Sequence, residues 1–172
     1  VHGDGAKGGV VLFCDTFNNF NTPNVAIAAT SLLESAGYRV LVAEKKCCGR
    51  PMISKGMLRE AKENAAWNVA GLTVYVEKGI PIVGLEPSCL LTLRDEYPEF
   101  LRTNAAKQVA EKSFLFDEFL AKERDRGKLM LTFAAGARKA LVHGHCHQKA
   151  LVGTGSTLAV LRWAGFDVAE VD

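Results

Sequence analysis

The sequence predicts an α/β domain with a mostly parallel sheet and helices on both faces. Short apolar runs alternate with longer segments in which apolar residues recur every three or four positions. This alternation is typical of parallel strands joined by helical crossovers. A length of 172 residues with 48% hydrophobic residues is sufficient for one such domain with a substantial core.

Each predicted element has its own local signal. An apolar run after a glycine-rich lead predicts the first strand at 9–13, and Pro23 and Gly37 bracket a helix over 23–36. The other predicted elements are a strand at 39–43, a helix at 55–77, a strand at 81–85, helices at 88–101 and 105–126, an extra edge strand at 129–133, a fourth core strand at 139–143, a helix at 156–164 and a strand at 166–171. This order predicts a Rossmann-like three-layer architecture.

Composition and charge exclude several classes of protein. The net charge is only +2, and no basic run is interleaved with aromatic residues, so we expect no nucleic-acid partner. No apolar stretch approaches the ~20 residues of a membrane span and the start does not resemble a signal peptide, so we expect a cytoplasmic protein. Five cysteines without a secretory signal favour reduced thiols or metal ligands over a disulfide framework.

The cysteines provide the strongest functional signal. Cys47 and Cys48 are adjacent in the loop after a predicted strand, and the others each follow a strand of their own: Cys14, Cys89 and Cys146. We therefore expect all five at the carboxyl edge of one sheet, where α/β sites form. Adjacent thiolates chelate a single ion only with strain, and zinc ligands are usually two to four residues apart. The pattern favours a centre of several metal atoms, with zinc as an open alternative.

A second cluster lies later in the sequence, where three histidines alternate around a cysteine: His143, His145, Cys146 and His147. Imidazoles at this spacing can bind a metal, transfer protons or shape a turn. A histidine could also activate Cys146 as the nucleophile of a thiol enzyme. The thiol enzyme leaves the adjacent cysteine pair unexplained, and a structural zinc module explains the cysteines but not their adjacency.

An internal repeat organises the chain. A cysteine after a strand, a helix, an Ala-Gly-aromatic stop and another strand occur from Cys14 to Val40 and again from Cys146 to Val168. The spacing predicts a second cysteine pair just beyond Asp172. We therefore expect a first module at 1–138 and the opening of a second, truncated module at 139–172.

These motifs resemble the cysteine-rich CCG domain. The resemblance is carried by Cys14, by Cys47-Cys48-Gly49-Arg50-Pro51, by the segment from Ser88-Cys89 to Pro98, and by the run from His143 to Ala150. That domain occurs in the iron-sulfur subunits of anaerobic glycerol 3-phosphate dehydrogenase and of glycolate and lactate oxidases, and in heterodisulfide reductase. The run from His143 is most similar to the C-terminal part of large fused FAD-linked oxidases.

The resemblance implies a ligand set. Cys14, Cys47, Cys48 and Cys89 would hold an iron-sulfur cluster of the [4Fe-4S] type or a zinc ion. The family has a Cys-x-x-Cys whose first position is occupied here by Glu86, which departs from the pattern and makes Glu86 an additional candidate ligand. In the intact protein Cys146 would bind the second cluster, with the neighbouring histidines as further candidates.

The resemblance also implies a place in a larger oxidoreductase. In the family, a flavin oxidises a 2-hydroxy acid such as D-lactate, glycolate or D-2-hydroxyglutarate, and electrons pass through iron-sulfur centres towards a quinone or cytochrome. The implied partners are an FAD-binding oxidase domain and a ferredoxin-like segment of the same polypeptide or complex. We expect the chain to be inactive alone, and the intact protein to be cytoplasmic or peripheral at the inner face of the membrane.

Overall fold

The computed structural model describes residues 4–134, 136 and 138–171. The chain divides into two compact units, Val1–Leu115 and Phe116–Asp172. Both units combine parallel strands with helices, so the predicted α/β class is confirmed. Among the helices of the described residues, none combines the length and apolar character that crossing a bilayer requires.

The first unit is built on a four-stranded parallel sheet in the order β2-β1-β3-β4. Its elements are β1 (Gly9–Phe13), α1 (Thr16–Phe20), α2 (Pro23–Ser35), β2 (Arg39–Val42), α3 (Arg50–Ser54), α4 (Leu58–Val76), β3 (Ile82–Gly84), α5 (Pro87–Arg94), α6 (Glu96–Leu101), α7 (Asn104–Glu111) and β4 (Ser113–Leu115). The crossovers that follow β1 and β3 lead to opposite sides of the sheet. The carboxyl ends of these two neighbouring strands therefore form a topological switch point, where α/β proteins place their sites.

The core of the first unit lies against the central strands. Val10 and Val11 of β1 and Ile82 and Val83 of β3 are fully buried. Gly84 is the last residue of β3, and α5 packs directly against it: a Cβ added there would lie 2.7 Å from Leu90 Cδ1. This close approach brings the first turn of α5 onto the carboxyl edge of the sheet.

Within its described residues, the second unit contains a two-stranded parallel sheet and three helices. Its elements are α8 (Phe116–Asp125), β5 (Arg138–His143), α9 (Cys146–Leu151), α10 (Gly155–Trp163) and β6 (Phe166–Val171). The two strands pair from Arg138↔Phe166 to His143↔Val171. A polar cluster joins the helices, since Asp117 Oδ2 accepts hydrogen bonds from the Thr157 hydroxyl and from Gln148 Nε2, the latter at 3.2 Å.

Three expectations about the sheet were wrong. The predicted helix over 105–126 is interrupted by β4, which pairs with β3. The sequence did not reveal this strand, because three residues are too few to show the alternation of a strand. Residues 129–133, predicted as an edge strand, form no strand. Leu129 is buried and Met130 is exposed, so the two residues still alternate as they would in a strand. The predicted fourth core strand is β5, which pairs with β6 in a separate sheet, and β4 occupies the place beside β3.

Helix boundaries differ from the sequence expectations in smaller ways. The predicted helix over 88–101 is two helices, α5 and α6, separated at Asp95. The helix expected at 55–77 is α4, and the short helices α1 and α3 were not anticipated. Five-residue helices are too short to show a helical repeat of apolar residues.

Candidate metal centre

Three loops at the carboxyl ends of β1, β2 and β3 carry the four candidate cysteines of the first unit. Cys14 directly follows β1, the Cys47-Cys48 pair lies in the loop after β2, and Cys89 lies in the first turn of α5 after β3. The Cys48 thiol interacts with the thiols of both Cys47 and Cys89. The structure therefore brings together three cysteines that are separated by up to 42 positions in sequence.

The loop and helix that follow Cys14 contact this group through Thr16. The Cys14 thiol, half-buried, donates to Asn19 Oδ1 at 3.9 Å, and the hydroxyl of Thr16 interacts with the Cys47 thiol. Cys14 also lines a cleft of about 330 Å³ whose walls are largely apolar and include Ile27 and Val42. The loop after β1 thus borders both the cysteine pair and an open cleft.

The spacing of the sulfurs bears on the kind of metal that fits. Within the described residues, no three of these sulfurs lie within 4.8 Å of one another. A tetrahedral zinc ion with Zn–S bonds of about 2.3 Å needs its sulfurs about 3.8 Å apart. A polynuclear centre binds each sulfur to a different metal atom and so accepts a wider spacing. Thiols are the ligands of iron-sulfur centres and also of structural zinc sites, so the four thiols present fit a metal centre of either kind.

Three thiols of the group, those of Cys14, Cys47 and Cys48, hold their protons strongly because their pKa values are raised. The Cys48 thiol, followed by burial, raises the pKa of Cys47, while burial and then the Asp15 carboxylate raise the pKa of Cys14. The Cys47 thiol lowers the pKa of Cys48, but the Cys89 thiol and burial outweigh it and raise that pKa to about 12. A bound cation would compensate the charge of the thiolates, so metal binding at this site would release protons.

Glu86 begins α5 as its N-cap. Its carboxylate accepts hydrogen bonds from the Cys89 N–H at 2.6 Å and from the Ser88 hydroxyl at 2.7 Å. Burial alone would raise the pKa of Glu86, but these hydrogen bonds and one from the Cys89 thiol lower it. Glu86 is therefore an ionised helix cap beside Cys89. Its hydrogen bonds to Ser88 and Cys89 occupy lone pairs that a metal ligand would need.

Side chains that the sequence reasoning missed hold the backbone of the cysteine pair. Asn68 accepts from the Lys46 N–H at 2.8 Å and donates to the Lys46 carbonyl at 3.3 Å and the Cys47 carbonyl at 3.4 Å. Asn64 donates to the Cys47 carbonyl at 3.2 Å, and the Tyr97 hydroxyl donates to the Cys48 carbonyl at 3.0 Å. The sequence did contain one signal for Asn68, which lies in the apolar stripe of α4. An amide buried there needs polar partners, so its position indicated a structural role.

The residues after the pair close the loop against the helices. Gly49 has a φ of 92° and packs against Ala61, where an added Cβ would meet the Ala61 Cα at 3.4 Å. The Arg50 guanidinium then pairs with the Glu96 carboxylate. The pair is thus connected to α4 and α6 on both sides, and its conformation is fixed by residues distant in sequence.

The candidate ligands of the second unit lie in a different setting. His143 ends β5, and Cys146 is the exposed first residue of α9. His145 caps that helix, since its Nδ1 accepts from the His147 N–H at 3.2 Å. The expectation that all five cysteines share one sheet edge was wrong for Cys146, because β5 belongs to a separate sheet.

Comparisons with known proteins give a family match and several relatives. Residues 11–94 match the family model described as a cysteine-rich domain, CCG. One of the subunits of anaerobic glycerol-3-phosphate dehydrogenase from Escherichia coli strain K12 is 33% identical over 158 residues, covering 91% of this chain and 39% of that protein. Lactate utilization protein A of Anoxybacillus flavithermus is 29% identical over 153 residues, covering 84% of this chain and 60% of that protein.

A third relative matches over a shorter stretch of the chain. D-2-hydroxyglutarate dehydrogenase of Pseudomonas putida is 31% identical over 88 residues, covering 51% of this chain and 9% of that protein. The chain spans less than two thirds of the length of each of these relatives. No solved structure matches it significantly.

The family match covers the site described above. Residues 11–94 extend from β1 to the end of α5 and include the four cysteines of the first unit together with Glu86. Over these residues the chain belongs to the CCG cysteine-rich domain family.

Proposed function

We propose that the first unit holds a polynuclear iron-sulfur centre, of the [4Fe-4S] type, through Cys14, Cys47, Cys48 and Cys89. The observation that carries the proposal is the meeting of the Cys47, Cys48 and Cys89 thiols at the switch point of a parallel sheet. Two of these cysteines are adjacent, which favours several metal atoms over one. The centre would accept and release single electrons, which is the chemistry such clusters supply when bound.

The residues of the unit have distinct parts in this proposal. Cys48 and Cys89 are buried, whereas Cys14 and Cys47 are half-buried, and Cys14 lines the open cleft. The buried side would keep water from the centre, and the exposed side would bring it close to a partner. Glu86 would place a negative charge beside Cys89, which favours the more oxidised, less negative state of the centre.

We further propose that the module passes electrons within a larger FAD-linked oxidoreductase. The flavin would lie on another domain or subunit and oxidise a 2-hydroxy acid of the D-lactate, glycolate or D-2-hydroxyglutarate type, and a quinone or cytochrome would accept the electrons. The named relatives support this proposal, since they are dehydrogenases or a lactate utilization protein. The intact protein would work in the cytoplasm or at the inner face of the membrane.

The repeated plan of strand, cysteine, helices and strand supports a second module. We infer that residues 1–138 form the first module and that residues 139–172 open the next, with Cys146 as its first ligand. His143, His145 and His147 would be further candidate ligands of that module. Without its flavin-bearing partner, the present chain would show no oxidase activity of its own.

Metal analysis under strict exclusion of oxygen tests the proposal. The 172-residue chain is purified anaerobically or reconstituted with iron and sulfide, and iron, sulfide and zinc are measured with the electron paramagnetic resonance spectrum. The expected result is iron with an equal amount of sulfide, about four of each per chain for a cubane cluster. Cys48→Ser and Cys89→Ser should lose most of the iron, whereas Cys146→Ser, a matched control at an exposed thiol, should retain it.

Other outcomes of the same experiment would contradict the proposal. Zinc without sulfide, lost in Cys48→Ser, would instead identify a structural zinc module. Absence of any metal from a folded chain under reconstitution would reject the metal centre and favour the thiol enzyme with Cys146. Equal iron loss in Cys48→Ser and Cys146→Ser would show that the iron is bound elsewhere.

A further inference from the structure

The loop that carries the cysteine pair has no regular structure of its own. Residues 43–48 lie outside any strand or helix, between β2 and the turn at Gly49. Buried backbone N–H and C=O groups need hydrogen-bond partners. In this loop the carbonyls of Lys46, Cys47 and Cys48 all find theirs in side chains of α4 and α6.

The two sulfurs need that support to face the same site. In an extended chain, successive side chains point in opposite directions. The Cys47 and Cys48 thiols instead interact with one another, and Cys48 also interacts with Cys89. The backbone between the two cysteines is therefore not fully extended, and both of their carbonyls accept hydrogen bonds from buried or half-buried side chains.

Asn68 and Tyr97 supply these hydrogen bonds and are also hydrogen-bonded to each other. The Asn68 amide donates to the Tyr97 hydroxyl at 2.8 Å, and that hydroxyl donates to the Cys48 carbonyl at 3.0 Å. Asn68 is 1% exposed and Tyr97 is fully buried. Buried hydrogen bonds in series polarise one another, and loss of one leaves the next group without a partner.

We propose that Asn68 and Tyr97 are positioning residues of the metal centre: by holding the carbonyls of residues 46–48, they turn the sulfurs of Cys47 and Cys48 towards the same site. This inference rests on the proposed function, because it assigns the two residues a part in binding that centre. Neither residue contacts a metal. Partners behind the ligands commonly change metal affinity by about 10- to 100-fold when removed.

Tyr97→Phe tests the inference in the metal-loaded chain. The variant removes one hydroxyl and keeps the buried ring. The matched control is Tyr38→Phe, because Tyr38 is a second buried tyrosine of the same unit that precedes β2, at the end of the sheet opposite the cysteines. We expect iron release to a chelator to be about tenfold faster in Tyr97→Phe than in Tyr38→Phe, with an altered electron paramagnetic resonance spectrum in Tyr97→Phe alone.

A second arm does not depend on iron. In the metal-free chain under reducing conditions, Cys48 is 3% exposed, and its alkylation by iodoacetamide can be followed by peptide mass spectrometry. Loss of the hydroxyl should free the loop, so Cys48 should react about tenfold faster in Tyr97→Phe than in Tyr38→Phe. Asn68→Asp, which keeps the side-chain shape but not its N–H donors, should act in the same direction.

The two arms separate failure of the inference from failure of the proposed function. A wild-type chain that takes up no iron would reject the iron-sulfur centre, while the alkylation rates would still decide whether Asn68 and Tyr97 hold the pair. Equal rates of alkylation in Tyr97→Phe and Tyr38→Phe would overturn the inference. Faster alkylation with unchanged iron release would also overturn it, since the loop would then be held without any effect on the centre.

Discussion

The segment from β1 to β2 and the segment from β5 to β6 share one plan but differ in what surrounds them. Each has a strand, a short helix, a longer helix, a glycine turn and a second strand that pairs in parallel with the first. The turn glycines, Gly37 and Gly165, have φ values of 91° and 86°. The predicted internal repeat thus has a structural counterpart in these two segments.

The two segments differ in the number of strands that pair with them. β1 is paired on both sides, by β2 and β3, and its residues are buried. β5 pairs with β6 in a sheet of two strands, and its residues are mostly exposed. The additional strand β3 also brings the loop with Glu86 and Cys89, so one repeat segment by itself supplies only part of a ligand set.

Matched leucines give the largest expected contrast. Leu12 and Leu141 occupy the fourth pair of their strand registers, but Leu12 is 2% exposed and Leu141 is 73% exposed. Leu12→Ala should lower the free energy of unfolding of the first unit by about 2–5 kcal/mol, because it leaves a cavity. Leu141→Ala should cost less than about 0.5 kcal/mol in the second unit.

Hydrogen exchange under increasing urea measures both effects, since the amides of β1 and β5 report on their own units. Similar losses for the two leucines would mean that β5 is buried in solution, and the contrast between the two segments would disappear.

The caps of the short helices give the next largest contrast. The Asp15 carboxylate, 2% exposed, accepts hydrogen bonds from the N–H groups of Phe17 and Asn18 and from the Asn18 amide. Asp15→Ala should therefore cost about 2 kcal/mol, at the upper end for a helix cap. His145→Ala, in the corresponding position of α9, should cost less, and the two losses can be compared by the same exchange measurement. Asp15→Asn, which keeps an acceptor, is the control and should restore most of the stability.

The sequence was sufficient for features that depend on local or repeated patterns. β1, α2, β2 and β6 follow from apolar runs and their glycine or proline boundaries, and the grouping of Cys47, Cys48 and Cys89 follows from their places after parallel strands. The strand β4 could not be predicted, because its three residues show no period and only pairing with β3 defines it. Asn68 and Tyr97 escaped for a related reason: their partners are backbone carbonyls 21 to 49 positions away.

The raised pKa values of the thiols predict a pH dependence of stability in the first unit. Folding raises the pKa of Cys48 from 9.0 to about 12, since the Cys89 thiol and burial outweigh the lowering by Cys47. Above pH 9 the unfolded chain releases this proton and the folded chain keeps it, so the free energy of unfolding of the metal-free chain should fall as the pH rises towards 12. Cys48 should contribute about 1.4 kcal/mol per pH unit to this slope, and Cys47, whose pKa is also raised, should add to it.

Urea denaturation at several pH values between 8 and 11 under reducing conditions measures this slope. The part due to Cys48 is the slope of the unmodified chain minus the slope of Cys48→Ser, in which the other groups still titrate. Cys48→Ser should lower the slope by at least about 1.4 kcal/mol per pH unit, because it also removes the thiol that does most to raise the pKa of Cys47. Cys146→Ser, which removes an exposed thiol of the second unit, should leave the slope unchanged. A slope that is the same in all three chains would assign the effect to other groups.

The glycine turns offer the smallest effect and test what the two segments share. An added Cβ at Gly165 meets no atom within 4 Å, and at Gly37 it meets only the flexible side chain of Lys7, at 3.5 Å. The cost of Gly37→Ala and of Gly165→Ala should therefore come from the left-handed backbone alone, about 1 kcal/mol in each unit. Asparagine tolerates this conformation better than alanine, so Gly37→Asn and Gly165→Asn should each cost less. Equal losses in the two units would show that both turns have the same conformation in solution, whereas a loss in only one would limit the shared plan to the pairing of the strands.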